Sequence, residues 1–210
     1  MKSAGSPGRK KRPAKPIKER EAVLDIQDYL RSSNERDYIL FVLGIATGYR
    51  AGDLVIQRVR DVKTALILGY FEILEGKKVN SKNIRKENIK PRIVKVIDNL
   101  EVLLEQYVKG KKDYEYLFQS RKGRNKHITV SHVSRILKRA GDEFGLQNIS
   151  AHSMRKTFAY KIFVESGYNI TLVKEMLGHR SEEETKRYLG LDRDTYDKYS
   201  DSLNNLIRVN

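Results

Sequence analysis

The sequence predicts an α+β domain that is mostly helical and carries one small antiparallel β-sheet. Apolar residues recur at helical spacing over most of the chain, whereas residues 64–96 carry short apolar runs typical of strands. Hydrophobic residues make up 39% of the 210 positions, which is enough to bury one sizeable core.

Three helices are predicted in the N-terminal part. Residues 19–30 carry apolar residues close to a helical stripe, at Val23, Leu24, Ile26, Tyr29 and Leu30. Residues 37–46 are nearly all apolar, which predicts a buried helix. We expect it to end at Gly48, because glycine tolerates the positive φ of a helix C-cap. A short helix is expected at residues 51–57.

Residues 64–96 predict strands around a basic loop. The apolar residues assigned to the strands are Leu66, Leu68, Phe71, Ile73, Ile93, Val94 and Val96. Residues 77–95 contain eight basic residues and one acidic residue, Glu87. The basic residues are Lys77, Lys78, Lys82, Arg85, Lys86, Lys90, Arg92 and Lys95. Helical patterning returns at residues 99–108, 129–144, 151–166, 170–177, 181–189 and 195–207.

Residues 1–18 are predicted to be a basic tail or linker before a folded domain at residues 19–210. The first 16 residues combine Gly, Pro, Ser and basic side chains with almost no apolar content. Such a segment cannot offset the entropy lost on ordering, so we expect it to be disordered. It is typical of an arm along DNA phosphates or of a linker to a further domain.

Charge and composition narrow the function classes. Lys and Arg number 42 against 27 Asp and Glu, a net charge of +15 that favours a polyanionic partner, most often nucleic acid. The absence of cysteine excludes disulfides, thiol nucleophiles and zinc–thiolate sites. The longest apolar run, residues 39–46, is too short to span a bilayer, and no secretory signal is visible. We therefore expect a soluble intracellular protein, which would be cytoplasmic and associated with the nucleoid if its polyanionic partner is DNA.

Two predicted helix ends carry arginines suited to phosphate. Arg50 follows the turn at Gly48, so rigid backbone holds a guanidinium that can grip a phosphate at two points, unless it pairs locally with Asp53. His152 and Arg155 are three residues apart and share one helical face. With Ser150 as N-cap, both lie near the positive end of their helix, although surface pairing also explains such a pair.

A third segment carries a histidine and a tyrosine. We expect Gly178 to end a helix and to leave His179 in the turn beyond it. Ser181 and Glu184 have the form of a capping box, so helix initiation explains the glutamates here and a metal or acid/base cluster is rejected. Tyr188 lies one turn after Glu184. Each signal is ordinary alone, but their combination is not.

In this order the segments resemble the tyrosine recombinase family, also called the phage integrase family. Residues 44–54 are similar to its first box, A-x-x-T-G-x-R-x-x-E-L, with Asp53 in place of Glu. Residues 152–159 are similar to H-x-L-R-H-T-x-A, with Met154 for Leu and Lys156 for the second His. That second His is outside the family's catalytic set, so its replacement leaves the resemblance intact.

The remaining family positions are also filled. Residues 177–179 match the L-G-H box, and Tyr188 follows His179 at the family's nine-residue distance. The family also uses a lysine on a β-hairpin between the first two boxes. Strand residues alternate faces, and counting from Ile73 selects Lys77, with Lys78 as the alternative. The resemblance covers roughly residues 19–200 and implies the tyrosine recombinase catalytic-domain fold.

The resemblance implies a site-specific recombinase or integrase that breaks and rejoins DNA through a 3′-phosphotyrosine. It assigns roles to six residues: Tyr188 attacks phosphorus, Arg50, Arg155 and His179 hold the non-bridging oxygens, His152 accepts the phenol proton and Lys77 protonates the leaving 5′-oxygen. The covalent link conserves the phosphodiester energy, so rejoining needs no ATP. The resemblance also implies that no metal or cofactor is required.

The resemblance implies three kinds of partner: double-stranded DNA, further copies of the chain in a tetrameric synapse, and accessory DNA-bending proteins. Binding to a membrane is not expected. The basic residues of the tail, of residues 77–95 and of residues 121–126 are expected to bind phosphates, a solvated face being the alternative. The C-terminal helix at 195–207 would pack on a neighbouring protomer or fold back on its own core.

Some alternatives stay open at this point. Most family members carry a DNA-clamping domain before the catalytic one, so the chain is either an excised catalytic domain or a short member like the fimbrial-switch invertases. A type IB topoisomerase, a catalytically silent DNA-binding homologue and a metal-dependent nuclease are the other candidate functions.

Overall fold

The fold is that of a helical domain with one two-stranded sheet. The computed structural model describes residues 13–74, 76, 91–191 and three isolated positions, 200, 204 and 206. Its elements are α1 (Arg20–Ser33), α2 (Glu35–Thr47), α3 (Ala51–Val55), α4 (Val59–Leu68), β1 (Tyr70–Ile73), β2 (Arg92–Lys95), α5 (Asp98–Val108), α6 (Val130–Glu143), α7 (Ala151–Glu165), α8 (Ile170–Leu177) and α9 (Glu182–Leu189). The predicted α+β class is confirmed. The predicted helix at 195–207 lies outside the described residues, apart from the isolated positions.

The sheet is a single antiparallel pair. β1 and β2 pair in the register Tyr70↔Lys95 to Ile73↔Arg92. Phe71 and Ile73 point into the core from β1, and Arg92 and Val94 do so from β2. The alternation of buried and exposed residues is therefore the one expected of a sheet with one face on the core.

The expected strand structure before residue 70 was wrong, because Val59–Leu68 is a helix. Its buried residues, Val59, Val62 and Ala65, recur every three positions and share one helical face. Gly69 then ends the helix with φ at 76°, in the left-handed region that favours glycine. Leu66 and Leu68, at the end of this stretch, alternate as residues of a strand do. The buried residues before them have helical spacing, and the whole stretch is one helix.

Two apolar clusters build the core. The larger one draws on α1 to α6, the sheet and the first turn of α7. The smaller one joins α7, α8 and α9, and its buried residues are Phe158, Ala159, Phe163, Val173, Leu177 and Leu189. α7 runs through both clusters, since Met154 lies in the first and Phe163 in the second.

The segment before α1 packs onto α7. Ile17 is 3% exposed, and its backbone N–H donates to Oγ1 of Thr157 (2.9 Å). The N–H of Lys15 donates to the carbonyl of Asn148 (3.1 Å), and the ammonium of Lys18 lies over the ring of Tyr160. These contacts involve the last residues of the predicted tail; residues 1–12 lie outside the described part.

No helix in the described part of the chain combines the length and the apolarity that crossing a bilayer requires.

Candidate active site

Arg155 joins two of the predicted site segments. Its side chain is buried on α7, and the residue is 3% exposed. Nη1 donates to the carbonyl of Gly48 (2.6 Å) and Nη2 donates to the carbonyl of Leu177 (2.7 Å). Gly48 is two residues before Arg50, and Leu177 is two residues before His179. One guanidinium therefore holds the backbone of the two turns that carry the other phosphate-binding candidates.

The turn that carries Arg50 is packed tightly against α7. Gly48 ends α2 in the left-handed region, with φ at 62°, as predicted. A Cβ at this position would lie 2.6 Å from Cδ1 of Phe158, so only glycine fits without movement. Arg50 follows in extended backbone as the N-cap of α3 and is half-buried.

Arg92 supports the same turn from the other side. It is 7% exposed on β2, and Nη2 donates to the carbonyls of Thr47 (2.9 Å) and Gly48 (3.2 Å). The expectation that Arg92 binds DNA phosphates with the rest of the loop is therefore wrong. A sequence signal for its burial existed, because Arg92 lies two residues before Val94 and so shares the inward face of β2.

The chain just before the predicted lysine contacts α3 at Gly76. The backbone N–H of Gly76 donates to Oδ1 of Asp53 (3.1 Å), which ties the residue before Lys77 to the helix that follows Arg50. Lys77 and Lys78 themselves lie outside the described residues, so their assignment stays a prediction.

His152 lies in the first turn of α7. Ser150 is the N-cap of this helix, as predicted, and its own N–H donates to Oγ of Ser153 (3.0 Å) to complete a capping box. His152 is exposed at the surface, whereas Arg155, one turn later on the same helix, is buried.

The turn at His179 is held by a buried threonine that the sequence did not single out. Gly178 ends α8 with φ at 63°, as predicted, and Nδ1 of His179 lies 3.0 Å from Oγ1 of Thr185. The Thr185 hydroxyl donates to the carbonyl of Ser181 (3.2 Å), so its oxygen accepts from Nδ1–H of the imidazole.

Tyr188 is on α9, directly beside His179. The centroids of the two rings are 5.1 Å apart, with their planes at 73°, an edge-to-face contact. The ammonium of Lys156, one residue after Arg155 on α7, lies 5.1 Å from the centroid of the Tyr188 ring. Lys156 is therefore a second site residue that sequence reasoning set aside.

α9 begins as the sequence predicts. Oγ of Ser181 accepts from the backbone N–H of Glu184 (3.2 Å), which confirms Ser181 as the N-cap. The carboxylate of Glu184 accepts from the N–H of Arg180 (3.1 Å). The contacts of these residues are thus those of a helix start, in keeping with the interpretation of the acidic run as helix initiation.

A basic groove of about 600 Å³ lies between the start of α2, the loop before α6, and α6 itself. Its basic residues are Arg36, Arg121, Lys122, His132, Arg135 and Arg139. Burial, together with the guanidiniums of Arg36 and Arg135 near the two ring nitrogens, lowers the pKa of His132 below its usual value of 6.5. Two residues of the predicted basic patch at 121–126 line this groove.

Comparison with known proteins places these residues in a family. The sequence model of the Phage integrase family matches residues 17–194. The chain is 33% identical over 180 residues to the probable integrase/recombinase YoeC of Bacillus subtilis, covering 86% of this chain and 91% of YoeC. It is 29% identical to the tyrosine recombinase XerA of Saccharolobus solfataricus, covering 80% of this chain but only 50% of XerA.

Solved structures share the fold. A crystal structure of XerA recombinase matches with a TM-score of 0.64 at 24% identity, over 91% of this chain and 66% of that one. A lambda integrase dimer bound to a COC′ core site matches with a TM-score of 0.59 at 19% identity, over 86% of this chain and 49% of that one. The chain belongs to the phage integrase family and has the catalytic-domain fold of a tyrosine site-specific recombinase.

Proposed function

We propose that this recombinase domain cleaves and rejoins duplex DNA through a 3′-phosphotyrosine at Tyr188. The observation that carries the proposal is the position of Arg155. Its two hydrogen bonds hold the turns of Arg50 and His179, and His179 contacts the Tyr188 ring. Residues that are 138 positions apart in the sequence thus converge on one small region, as a phosphoryl-transfer site requires.

Arg50, Arg155 and His179 would stabilise the charge that grows on the non-bridging oxygens during the attack. Preorganised donors of this kind contribute on the order of 3 kcal/mol each to the rate, by analogy with oxyanion-hole donors. The burial of Arg155 and the fixed tautomer of His179 support this role, because donors that are already oriented need no reorganisation as the charge develops.

Two further residues would move the protons. Free phenol has a pKa near 10, so Tyr188 needs a base, and exposed His152 at the start of α7 is the candidate. Lys77 would donate a proton to the 5′-oxygen as it leaves, with Lys78 as the alternative. The phosphotyrosine keeps the energy of the broken phosphodiester, so a 5′-hydroxyl can rejoin the strand without ATP.

The proposed partner is double-stranded DNA. The +15 net charge and the basic groove favour it, and the lambda integrase structure that shares this fold contains core-site DNA. Assembly of further copies in a tetrameric synapse and recruitment of DNA-bending proteins are proposed on the same family basis, as is a nucleoid location during binding.

The test compares relaxation of supercoiled plasmid, and protein trapped covalently on DNA by denaturant, for the parent chain and Tyr188→Phe in EDTA. We expect metal-free relaxation and trapping by the parent and loss of both in the variant, because phenylalanine has no nucleophilic oxygen. Tyr168→Phe is the matched control, since Tyr168 is 64% exposed in a loop, and it should behave as the parent.

Activity that persists in Tyr188→Phe would rule out this nucleophile. A parent that binds plasmid but neither relaxes it nor becomes trapped would instead support the catalytically silent alternative. Relaxation that requires a divalent ion would support the nuclease.

A further inference from the structure

Lys156 and Tyr188 form a contact that the catalytic scheme does not use. Lys156 lies on α7, and its Nζ is 5.1 Å from the centroid of the Tyr188 ring on α9. His179 contacts the same ring edge-to-face, so two different elements of the fold contact the ring. Lys156 stands where the family box has its second histidine.

The ammonium of Lys156 is directed to this ring rather than to an acid. Among the ion pairs of the described residues, none includes Lys156. The side chain is half-buried, and burial lowers the pKa of its ammonium because the charged form loses water. An attractive contact with the face of an aromatic ring offsets part of that loss.

A cation near a phenol ring also acts on the ionisation of that phenol. The phenolate spreads negative charge into the ring, so a positive charge close to the ring stabilises the phenolate more than the neutral phenol. The attack on phosphorus needs the deprotonated oxygen. A cation at the position of Lys156 therefore favours the reactive form of the nucleophile without touching the oxygen that reacts.

We propose that Lys156 is a positioning residue for the nucleophile: its ammonium holds the Tyr188 ring in the site and favours the phenolate over the phenol. The consequence for catalysis rests on the proposed function of Tyr188, whereas the contact and its effect on ionisation do not. Lys156 acts through Tyr188, since its contact is with the ring.

Other groups near the pair can titrate and have to be kept constant. They are His152 and Tyr160 one turn before and after Lys156 on α7, Arg155 beside it, Lys18 over the Tyr160 ring, His179 in the turn before α9, and Glu184 one turn before Tyr188. All remain in every variant below, so a difference between variants reports on Lys156.

The first experiment measures the ionisation of Tyr188 without DNA. The protein is labelled with 3-fluorotyrosine, Tyr188→Phe identifies the Tyr188 resonance by its disappearance, and the ¹⁹F shift is followed against pH. We expect the midpoint for Tyr188 to rise by roughly 0.5 to 1 pH unit in Lys156→Gln, from the loss of one charge at this distance. Lys156→Arg keeps a cation at every pH, so its midpoint should stay at or below that of the parent.

A matched control removes the same charge elsewhere on the same helix. Lys161 is exposed on α7 and pairs with Glu165 (2.6 Å), so Lys161→Gln should leave the Tyr188 midpoint unchanged. Lys156→Met provides a second neutral variant of similar length, and thermal melting monitored by circular dichroism selects the variants that are folded. An unchanged midpoint in a folded neutral variant, or an equal rise in Lys161→Gln, would overturn the proposal.

The second experiment measures covalent trapping on supercoiled plasmid as a function of pH. For the neutral variants the rise of the trapping rate with pH should move to higher pH by the same amount, and Lys156→Arg should follow the parent. A midpoint shift without any trapping by the parent would overturn the proposed function but leave the contact intact. Trapping by the parent with the same pH profile in the neutral variants would overturn the role of Lys156.

Discussion

The hydroxyl of Thr185 determines which nitrogen of His179 carries the proton in the neutral ring. Thr185 is fully buried, and it can donate only one hydrogen, which goes to the carbonyl of Ser181. Its oxygen is then an acceptor for Nδ1–H of His179. A histidine in a turn has many available orientations, so this bond orients the ring, as the proposed role of a phosphate donor through Nε2 requires.

Thr185→Val should therefore slow DNA cleavage while Tyr188 is untouched. Valine has nearly the same shape but cannot accept from Nδ1–H, and a lost hydrogen bond at a buried position costs about 1–3 kcal/mol. We expect the rate of covalent trapping to fall about tenfold or more. Thr185→Ser, which keeps the hydroxyl, should recover most of the rate. A valine variant as fast as the parent would show that His179 does not depend on this bond.

The sequence predicts the proposed site residues by their motifs, but it does not predict most of the residues that support them. Arg155, His179 and Tyr188 follow from motif spacing, because the family places its chemistry at fixed distances. Thr185 and Lys156 act through neighbours on other turns or helices, and a single sequence does not show which side chains meet there. The inward position of Arg92 could have been predicted from the sequence, since Arg92 alternates with Val94 on the buried face of β2.

At the scale of elements, the close approach of α2 to α7 positions the Arg50 turn. A Cβ at Gly44 would lie 2.5 Å from the sulfur of Met154, so this glycine permits the two helices to pack backbone to side chain. Gly48, one turn later, is in contact with Phe158 and offers its carbonyl to Arg155 and Arg92. The end of α2 is thus fixed by packing and by hydrogen bonds together.

Gly48→Ala should destabilise the fold and impair the site at once. Alanine is strained at φ 62°, and its Cβ would collide with Phe158. Together these effects should lower the free energy of unfolding by about 2 kcal/mol or more, measured by urea denaturation. Gly52→Ala is the control, because no atom lies within 4 Å of a Cβ there. Equal stability of the two variants would contradict this account of the turn.

Helix periodicity predicted nearly all the elements, and the one error has a physical cause. α2 is recognisable from its long apolar stretch, and both α2 and α8 end at a glycine. α4 is amphipathic, with its buried residues three positions apart and Leu66 and Leu68 at its end. Two alternating leucines beside a real strand extend the strand pattern backwards, and only the turn at Gly69 separates the two structures.

At the scale of the whole molecule, the site lies where the two apolar clusters meet. Arg50 comes from elements packed in the larger cluster, whereas Tyr188 packs against the smaller one. α7 belongs to both, and its Arg155 connects them through backbone carbonyls on either side. The position of the Arg50 turn relative to the turn of His179 therefore depends on this helix.

The basic groove should contribute to DNA affinity through charge alone. Each phosphate contact releases condensed counterions, so the logarithm of the affinity falls linearly with the logarithm of salt concentration. Arg121 and Lys122 line the groove. In Arg121→Gln/Lys122→Gln we expect weaker binding to any duplex, with the salt slope reduced by up to about 2, as measured by fluorescence anisotropy across a salt series.

A control that removes the same charge elsewhere separates local contacts from net charge. Lys63 and Lys161 each pair with a carboxylate, Asp113 and Glu165, at 2.6 Å. Lys63→Gln/Lys161→Gln therefore lowers the net charge by the same two units at positions whose charge is already compensated locally. If both double variants change the salt slope equally, the groove is a solvated face and the DNA affinity depends only on the net charge of the protein. If the groove variant alone changes it, phosphates lie against the start of α2 and α6, and the bound duplex extends over that side of the domain.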